Sequence, residues 1–207
     1  TKPELLLPVG NVESLYAAIE GGADAIYLGL KGFNARGRAA NFSEAQLSAI
    51  CKLAAKHHVK VYVTLNIVVK NNELADVLDT LQFLSTQQIA GIIIQDWGVF
   101  SLMRRYFPKL VAHASTQIVN HNSVGANHSQ HIGFKRVVLA RELTAKELQL
   151  IHQRNNIETS HLQAIHIVLQ LRDSIQVIHD INQTVDTLFG TLKIFTIDEV
   201  ILQTAIQ

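Results

Sequence analysis

Apolar residues gather along the chain in six short runs: Glu4 to Leu7, Ala25 to Leu28, Val61 to Leu65, Gly91 to Ile94, Val111 to Ala114 and Arg136 to Leu139. Runs of this length, bounded by turn residues, predict buried strands. Polar residues that start helices stand between them: Asn11 before Val12-Glu13, Ser43 with Gln46 three residues on, Asn72 before Glu73, Asp96 before Trp97, Asn122 before Ser123, and Thr144 with Glu147 three residues on. The Ser43 and Thr144 spacings predict capping boxes, in which the cap hydroxyl and the later side chain each satisfy a free backbone amide. Gly21-Gly22, His57-His58-Val59 and Ile132-Gly133 mark where helices stop and the next strands begin. Continuous apolar strands imply burial on both faces, and so a parallel sheet covered by helices.

Six strand-helix units fill residues 4 to about 155, whereas a closed barrel of eight takes about 250 residues. The pattern therefore predicts either an open doubly wound sheet or a (β/α) barrel of the TIM type that is incomplete or irregular. After Asn155 the alternation is lost, and Ser160 to Ile181 reads as helical within a segment rich in Ile, Gln and Thr. We expect one parallel α/β unit of either kind over residues 1–158, followed by an atypical segment over 159–207.

Composition narrows the function classes. A hydrophobic fraction of 48% with 17% charged residues fits a folded globular chain. The apolar runs are far shorter than the roughly 18 residues of a membrane span, and the start lacks a secretory pattern, so we expect a cytoplasmic protein without a membrane partner. The net charge of +1 gives no global attraction to polyanions, so anion binding must come from local clusters. The clearest is the glycine-rich loop 29–42 after the second strand, which carries Lys31, Arg36 and Arg38 with no acid until Glu44. Its cations suit a phosphate or carboxylate.

In parallel α/β folds, ligands bind where the carboxyl ends of the strands collect their loops. The residues just past each strand are therefore candidates: Pro8-Val9-Gly10-Asn11 after the first, the loop from Gly29 after the second, Asn66 after the third, Gln95-Asp96 after the fourth, Ser115-Thr116-Gln117 with Asn120 after the fifth, and Arg141 with Glu142 after the sixth. Asn11 and Asp96 read equally well as helix caps. Together with Arg36 and Arg38, the residues Asn66, Gln117, Arg141 and Glu142 form the expected ligand-binding set, for a small anionic ligand or RNA. His121, His128 and His131 read as a solvated helix surface rather than a metal site, and His113 as a core histidine of the fifth strand. Cys51, the single cysteine, reads as a small buried hydrophobe. No nucleophile elbow, phosphate loop or dinucleotide fingerprint is present.

The stretches "PELLLPVGNVESLYAAIEGGADAIYLGLKGFNARGRAANFS", "VYVTLNIVVKNNEL", "GIIIQDWGVFSLMRRYFP", "HASTQIVNHNS" and "RVVLARELTAKEL" resemble, in order, the amino-terminal half of the collagenase-like peptidase family, also labelled peptidase family U-thirty-two. The resemblance covers residues 3 to about 158. It implies an irregular, incomplete (β/α) barrel of the TIM type over residues 1–158, with 159–207 a replaced or truncated end, and an activity that is either peptidase (hydrolase) or, as in relatives, oxygen-independent hydroxylation of tRNA, ribosomal RNA or the ubiquinone ring. Such relatives use prephenate or an iron-sulfur cluster. Here the family's cysteine-containing continuation gives way to Thr159-Ser160-His161, so this chain is expected to hold no cluster of its own and to rely on a protein partner for missing elements. Three readings stay open: an RNA hydroxylase component, a non-catalytic binding protein without the cysteine region, and a true peptidase.

Overall fold

The computed structural model describes residues 4–32 and 41–154. The boundary expected at 158, the helical reading of Ser160 to Ile181, and Arg36 and Arg38 lie outside those residues. The chain alternates β1 (Leu6–Pro8), α1 (Val12–Glu20), β2 (Ala25–Gly29), α2 (Glu44–Lys56), β3 (Lys60–Leu65), α3 (Leu74–Ser85), β4 (Gly91–Ile94), α4 (Trp97–Tyr106), β5 (Ala112–Ala114), α5 (Ser123–His131), β6 (Arg136–Val137) and α6 (Ala145–Arg154). Short 3-10 turns at Asn71–Glu73 and Thr116–Ile118 precede α3 and α5.

The strands form one parallel sheet in the order β1-β2-β3-β4-β5-β6. A doubly wound sheet would reverse its order at a switch point. Strictly sequential order instead keeps every crossover helix on the same side, because right-handed crossovers all turn the same way. The result is a six-stranded half-barrel, one of the two architectures that the spacing allowed and the incomplete TIM-like one that the family resemblance implied.

Side-chain alternation divides the sheet into two layers. Ile26, Leu28, Val63, Leu65, Ile92 and Ile94 point outward into one core with Leu47, Leu81, Leu84 and Met103 of the helices. Each of these ten is nearly inaccessible to solvent, and full burial of one such side chain stabilises the fold by about 1.5–3 kcal/mol. The inward layer is smaller: Leu6, Ala25, Tyr27, Tyr62, Ile93 and Val138.

The helix starts follow the sequence closely. Ser43 and Gln46 exchange both capping-box bonds, Ser43 N to Gln46 Oε1 at 2.8 Å and Gln46 N to Ser43 Oγ at 3.3 Å. Thr144 and Glu147 do the same at 2.8 and 3.4 Å. Asn72 is not a cap: it sits inside the 3-10 turn, and α3 begins only at Leu74. Strands β1, β5 and β6 are each shorter than the apolar runs that predicted them. Loop 29–42 is closed at its base, where Leu30 bridges Phe42, Lys31 N donates to Phe42 O at 3.1 Å, and Phe42 N donates to Gly29 O at 3.1 Å. Buried Phe42 anchors the returning end of that loop at the carboxyl end of β2.

Candidate functional site

The carboxyl ends of β3, β4 and β5 set three polar residues side by side. Leu65 pairs with Ile94, and Ile94 with Ala114, so the next residues, Asn66, Gln95 and Ser115, hold neighbouring register positions. The paired residues belong to the helix-facing core, and alternation therefore directs their successors to the inner face of the sheet. The ladder reaches Ser115, whose amide donates to Ile94 O at 2.8 Å. Ser115 is buried, and Asn66 and Gln95 are half-buried. The row combines two amides and a hydroxyl, each able both to donate and to accept hydrogen bonds.

Asp96 holds the loops of this end together. Its Oδ1 accepts from Val99 N at 2.9 Å, capping α4, and its Oδ2 accepts from Val69 N at 3.2 Å, tying down the segment that leaves Asn66. Its carboxylate therefore positions the neighbouring loop. After β5, Ser115 Oγ accepts from Gln117 N at 3.2 Å. Val119 then adopts a left-handed conformation with φ 62°, unfavourable for a β-branched residue by about 1–3 kcal/mol. That turn delivers Asn120 into the interior, where its Oδ1 accepts from Ser129 Oγ at 3.3 Å and its carbonyl from Ala140 N at 3.0 Å. Asn120 Nδ2 is buried with no hydrogen-bond partner.

Of the six residues expected to bind ligand, Asn66, Gln117, Arg141 and Glu142 follow the ends of β3, β5 and β6 and so stand at the same end of the parallel sheet. Gln117, Arg141 and Glu142 are exposed. The sequence reading left Gln95 and Ser115 out of that set, although both follow apolar strands directly. Their signal is the register, which one sequence does not reveal.

The opposite end of the inner face holds a charged cluster of which the sequence reading marked Glu4 and Arg136 only as strand starts and did not single out Lys60. Glu4 Oε2 lies 2.7 Å from Arg136 Nη2, and Glu4 Oε1 lies 2.8 Å from Lys60 Nζ, so β1, β3 and β6 are tied together across the interior. The Arg136 guanidinium sits 5.1 Å from the centroid of the Tyr62 ring, which packs against His113 at 4.8 Å. Burial opposes ionisation of Glu4, yet the hydrogen bond from Lys60 and the charges of Arg136 and Lys60 outweigh it and hold the carboxyl below its ordinary range. The hydrogen bond to Glu4 raises Lys60 in turn, and burial raises Tyr62. Gly91 makes room for the aromatic pair, since a β-carbon there would stand 3.3 Å from His113 Nε2 and 3.4 Å from Tyr62 Cδ1.

Cys51 is far from a nucleophile's setting. It is buried in α2 within the outer core, and desolvation pushes its thiol up to about 11. Among the described residues, no three His, Cys, Asp or Glu side chains are grouped to hold a metal ion.

Residues 10–164 match the model of peptidase family U32. The tRNA hydroxylation protein P1 of Bacillus subtilis is 36% identical over 157 residues, which cover 76% of this chain and 37% of that protein. The collagenase of Porphyromonas gingivalis is 35% identical over 158 residues, covering 74% and 37%. The chain thus spans little more than a third of the length of these curated relatives. A solved U32 peptidase structure superposes with a TM-score of 0.61 at 13% identity, over 76% of this chain and 67% of that one, a likeness of fold.

Proposed function

The chain belongs to peptidase family U32, and we propose that it forms the substrate-binding barrel portion of a tRNA hydroxylation protein. The observation that carries this reading is the row Asn66, Gln95 and Ser115 at the carboxyl end of three adjacent strands. Uncharged groups that both donate and accept suit the edges of a nucleobase held out of its stack. The 36% identity to a tRNA hydroxylation protein supports the same choice. The Cys51 thiol, buried in the helix layer and pushed up to about 11, is not set up as the nucleophile of a cysteine peptidase.

A four-thiolate iron-sulfur cluster does not fit these residues, because Cys51 is the chain's single cysteine and is packed into the outer core. We therefore assign recognition to this chain, and electron-transfer chemistry to residues that it does not carry or to a protein partner. Arg141 and the cations of loop 29–42 would meet the phosphates or an anionic co-ligand around the bound base. No helix among the described residues is long and apolar enough to cross a membrane. The reading places the protein in the cytoplasm, where tRNA is found.

The test is equilibrium binding of labelled tRNA and of a labelled collagen peptide to the full chain, wild type and Asn66→Ala/Gln95→Ala. Two lost hydrogen bonds of about 1 kcal/mol each predict roughly thirtyfold weaker tRNA binding by the variant. Because the collagenase relative matches nearly as well, the peptide arm is decisive for the rival. Tight peptide binding, lost in the variant while tRNA binding is unchanged, would assign the site to a peptide substrate.

A further inference from the structure

No aspartate or glutamate stands between Asp96 and Glu142, whereas Arg104, Arg105, Lys109, Lys135, Arg136 and Arg141 do. Two other helices have the opposite balance: α1 carries Glu13 and Glu20, and α3 carries Asp76 and Asp79, with no cation in either. Arg136 is committed to Glu4. The remaining cations before Arg141 gather at one place. Arg104 and Arg105 end α4, Lys109 lies in the link to β5, and Lys135 immediately precedes β6. All four are exposed, and none makes an ion pair with a described residue.

Gly133 brings the two cationic segments together. It has φ +115°, and a β-carbon there would lie 3.1 Å from Arg104 Cζ, so the bare turn leaves space for the guanidinium beside the segment that carries Lys135. Aromatic surface is interleaved with the charge. Trp97 is 51% exposed and meets Phe134 of the same turn edge-on, with ring centroids 6.1 Å apart. Tyr106 is 54% exposed with the Arg105 guanidinium 5.3 Å from its ring centroid. Cations are also favoured at helix carboxyl ends by the backbone dipole, which accounts for Arg104 and Arg105. It does not account for Lys109 and Lys135, which lie beyond the helices, or for the missing acids.

We propose that the flank formed by α4 and the turn between α5 and β6 is a docking surface for the phosphodiester backbone of RNA. The four cations neutralise phosphates, and the exposed rings of Trp97 and Tyr106 offer stacking faces for unpaired bases. The choice of RNA among polyanions rests on the tRNA reading above. The surface itself rests on its own charge and geometry, outside the carboxyl-end site.

Trp97 is the only tryptophan of the chain and stands close after Gln95, so its emission reports tRNA at either place and the variants below assign it. Titrating the full chain with tRNA should quench that emission, with an affinity that falls roughly a hundredfold between 50 and 200 mM salt if four phosphates are contacted. Arg104→Gln/Arg105→Gln should flatten the logarithmic salt slope by about 2. Lys109→Gln/Lys135→Gln, outside any helix, should flatten it by the same amount even if the arginine pair disturbs α4. Lys52→Gln/Lys56→Gln on α2 removes the same charge and should leave the slope unchanged. Equal effects from all three pairs, unchanged slopes in both flank pairs, or preference for anionic phospholipid vesicles over tRNA would overturn the proposal. If tRNA binding depends on Asn66 and Gln95 and not on the flank pairs, this surface is refuted and the carboxyl-end reading stands. Dependence on the flank alone upholds the surface and refutes that reading.

Discussion

The two faces of the same six strands are built from different materials. The outward face is aliphatic from end to end and is closed by helices whose apolar stripes the chain itself provides. The inward face has few aliphatic residues at its middle, the Glu4, Lys60 and Arg136 cluster at one end, and Asn66, Gln95 and Ser115 at the other. Sheet energetics explain the division of labour. The outer layer contributes non-directional burial that tolerates approximate packing, while the inner layer depends on directional contacts between strands far apart in sequence. Non-directional burial is thus concentrated outside, and the proposed recognition site lies inside.

The strongest challenge to that division is to remove one member of the buried pair. Glu4→Ala leaves Arg136 buried without its counter-charge and should cost about 3–5 kcal/mol in urea unfolding. The double variant Glu4→Leu/Arg136→Met should recover most of that loss, since the charge no longer needs a partner. If Glu4→Ala is nearly neutral, the inner cluster does not tie β1 to β6. On the outer face, Leu81→Ala on α3 removes a fully buried side chain and should cost about 2–5 kcal/mol, with no such rescue by a second substitution.

The sign of the pH dependence separates the faces further. Glu4 is held below its ordinary value of 4.5, so its contribution is present above that value and fades as pH falls through the lower folded value. Lys60 is held above 10.5, so its contribution is present below that value and is lost as pH rises through the higher folded value. The Lys60 side chain is 56% exposed, so solvent screening makes the alkaline effect the smaller one. Glu4→Ala should remove Glu4's share of the acid-side loss and leave that of Glu147, whose carboxyl the hydrogen bonds with Thr144 also hold below its ordinary value, whereas Leu81→Ala should shift the whole stability curve down without changing its shape.

Most of the outer layer was legible in the sequence, because a helix or strand signals its apolar face through local periodicity. Ser43 with Gln46 and Thr144 with Glu147 announced their caps by residue type alone. Asn11 forms a capping box with Ser14, a serine where the motif expects Glu or Gln, so only the cap residue was visible. The inner layer was less legible. Glu4 and Lys60 are 56 residues apart, and nothing local shows that register sets them on one face. The same holds for Asn66 beside Gln95 and Ser115. Asn66 alone stood out, since it lies well before the next helix.

The smallest effect on stability concerns loop 29–42. Arg36→Ala/Arg38→Ala should change unfolding free energy by no more than about 1 kcal/mol. At low salt the pair should weaken binding of tRNA or a small dicarboxylate such as prephenate. Equal affinity of variant and parent for both would leave the loop outside the binding face.

The central claim, that the carboxyl end of this half-barrel receives a tRNA base, is tested most directly by photo-cross-linking. The full chain is irradiated with tRNA carrying 4-thiouridine, and the modified peptides are identified by mass spectrometry. The account predicts adducts in the segments holding Asn66 to Val69 and Ser115 to Asn120, lost in Asn66→Ala/Gln95→Ala. Adducts confined to the helix layer, or none that compete with unlabelled tRNA, would contradict it.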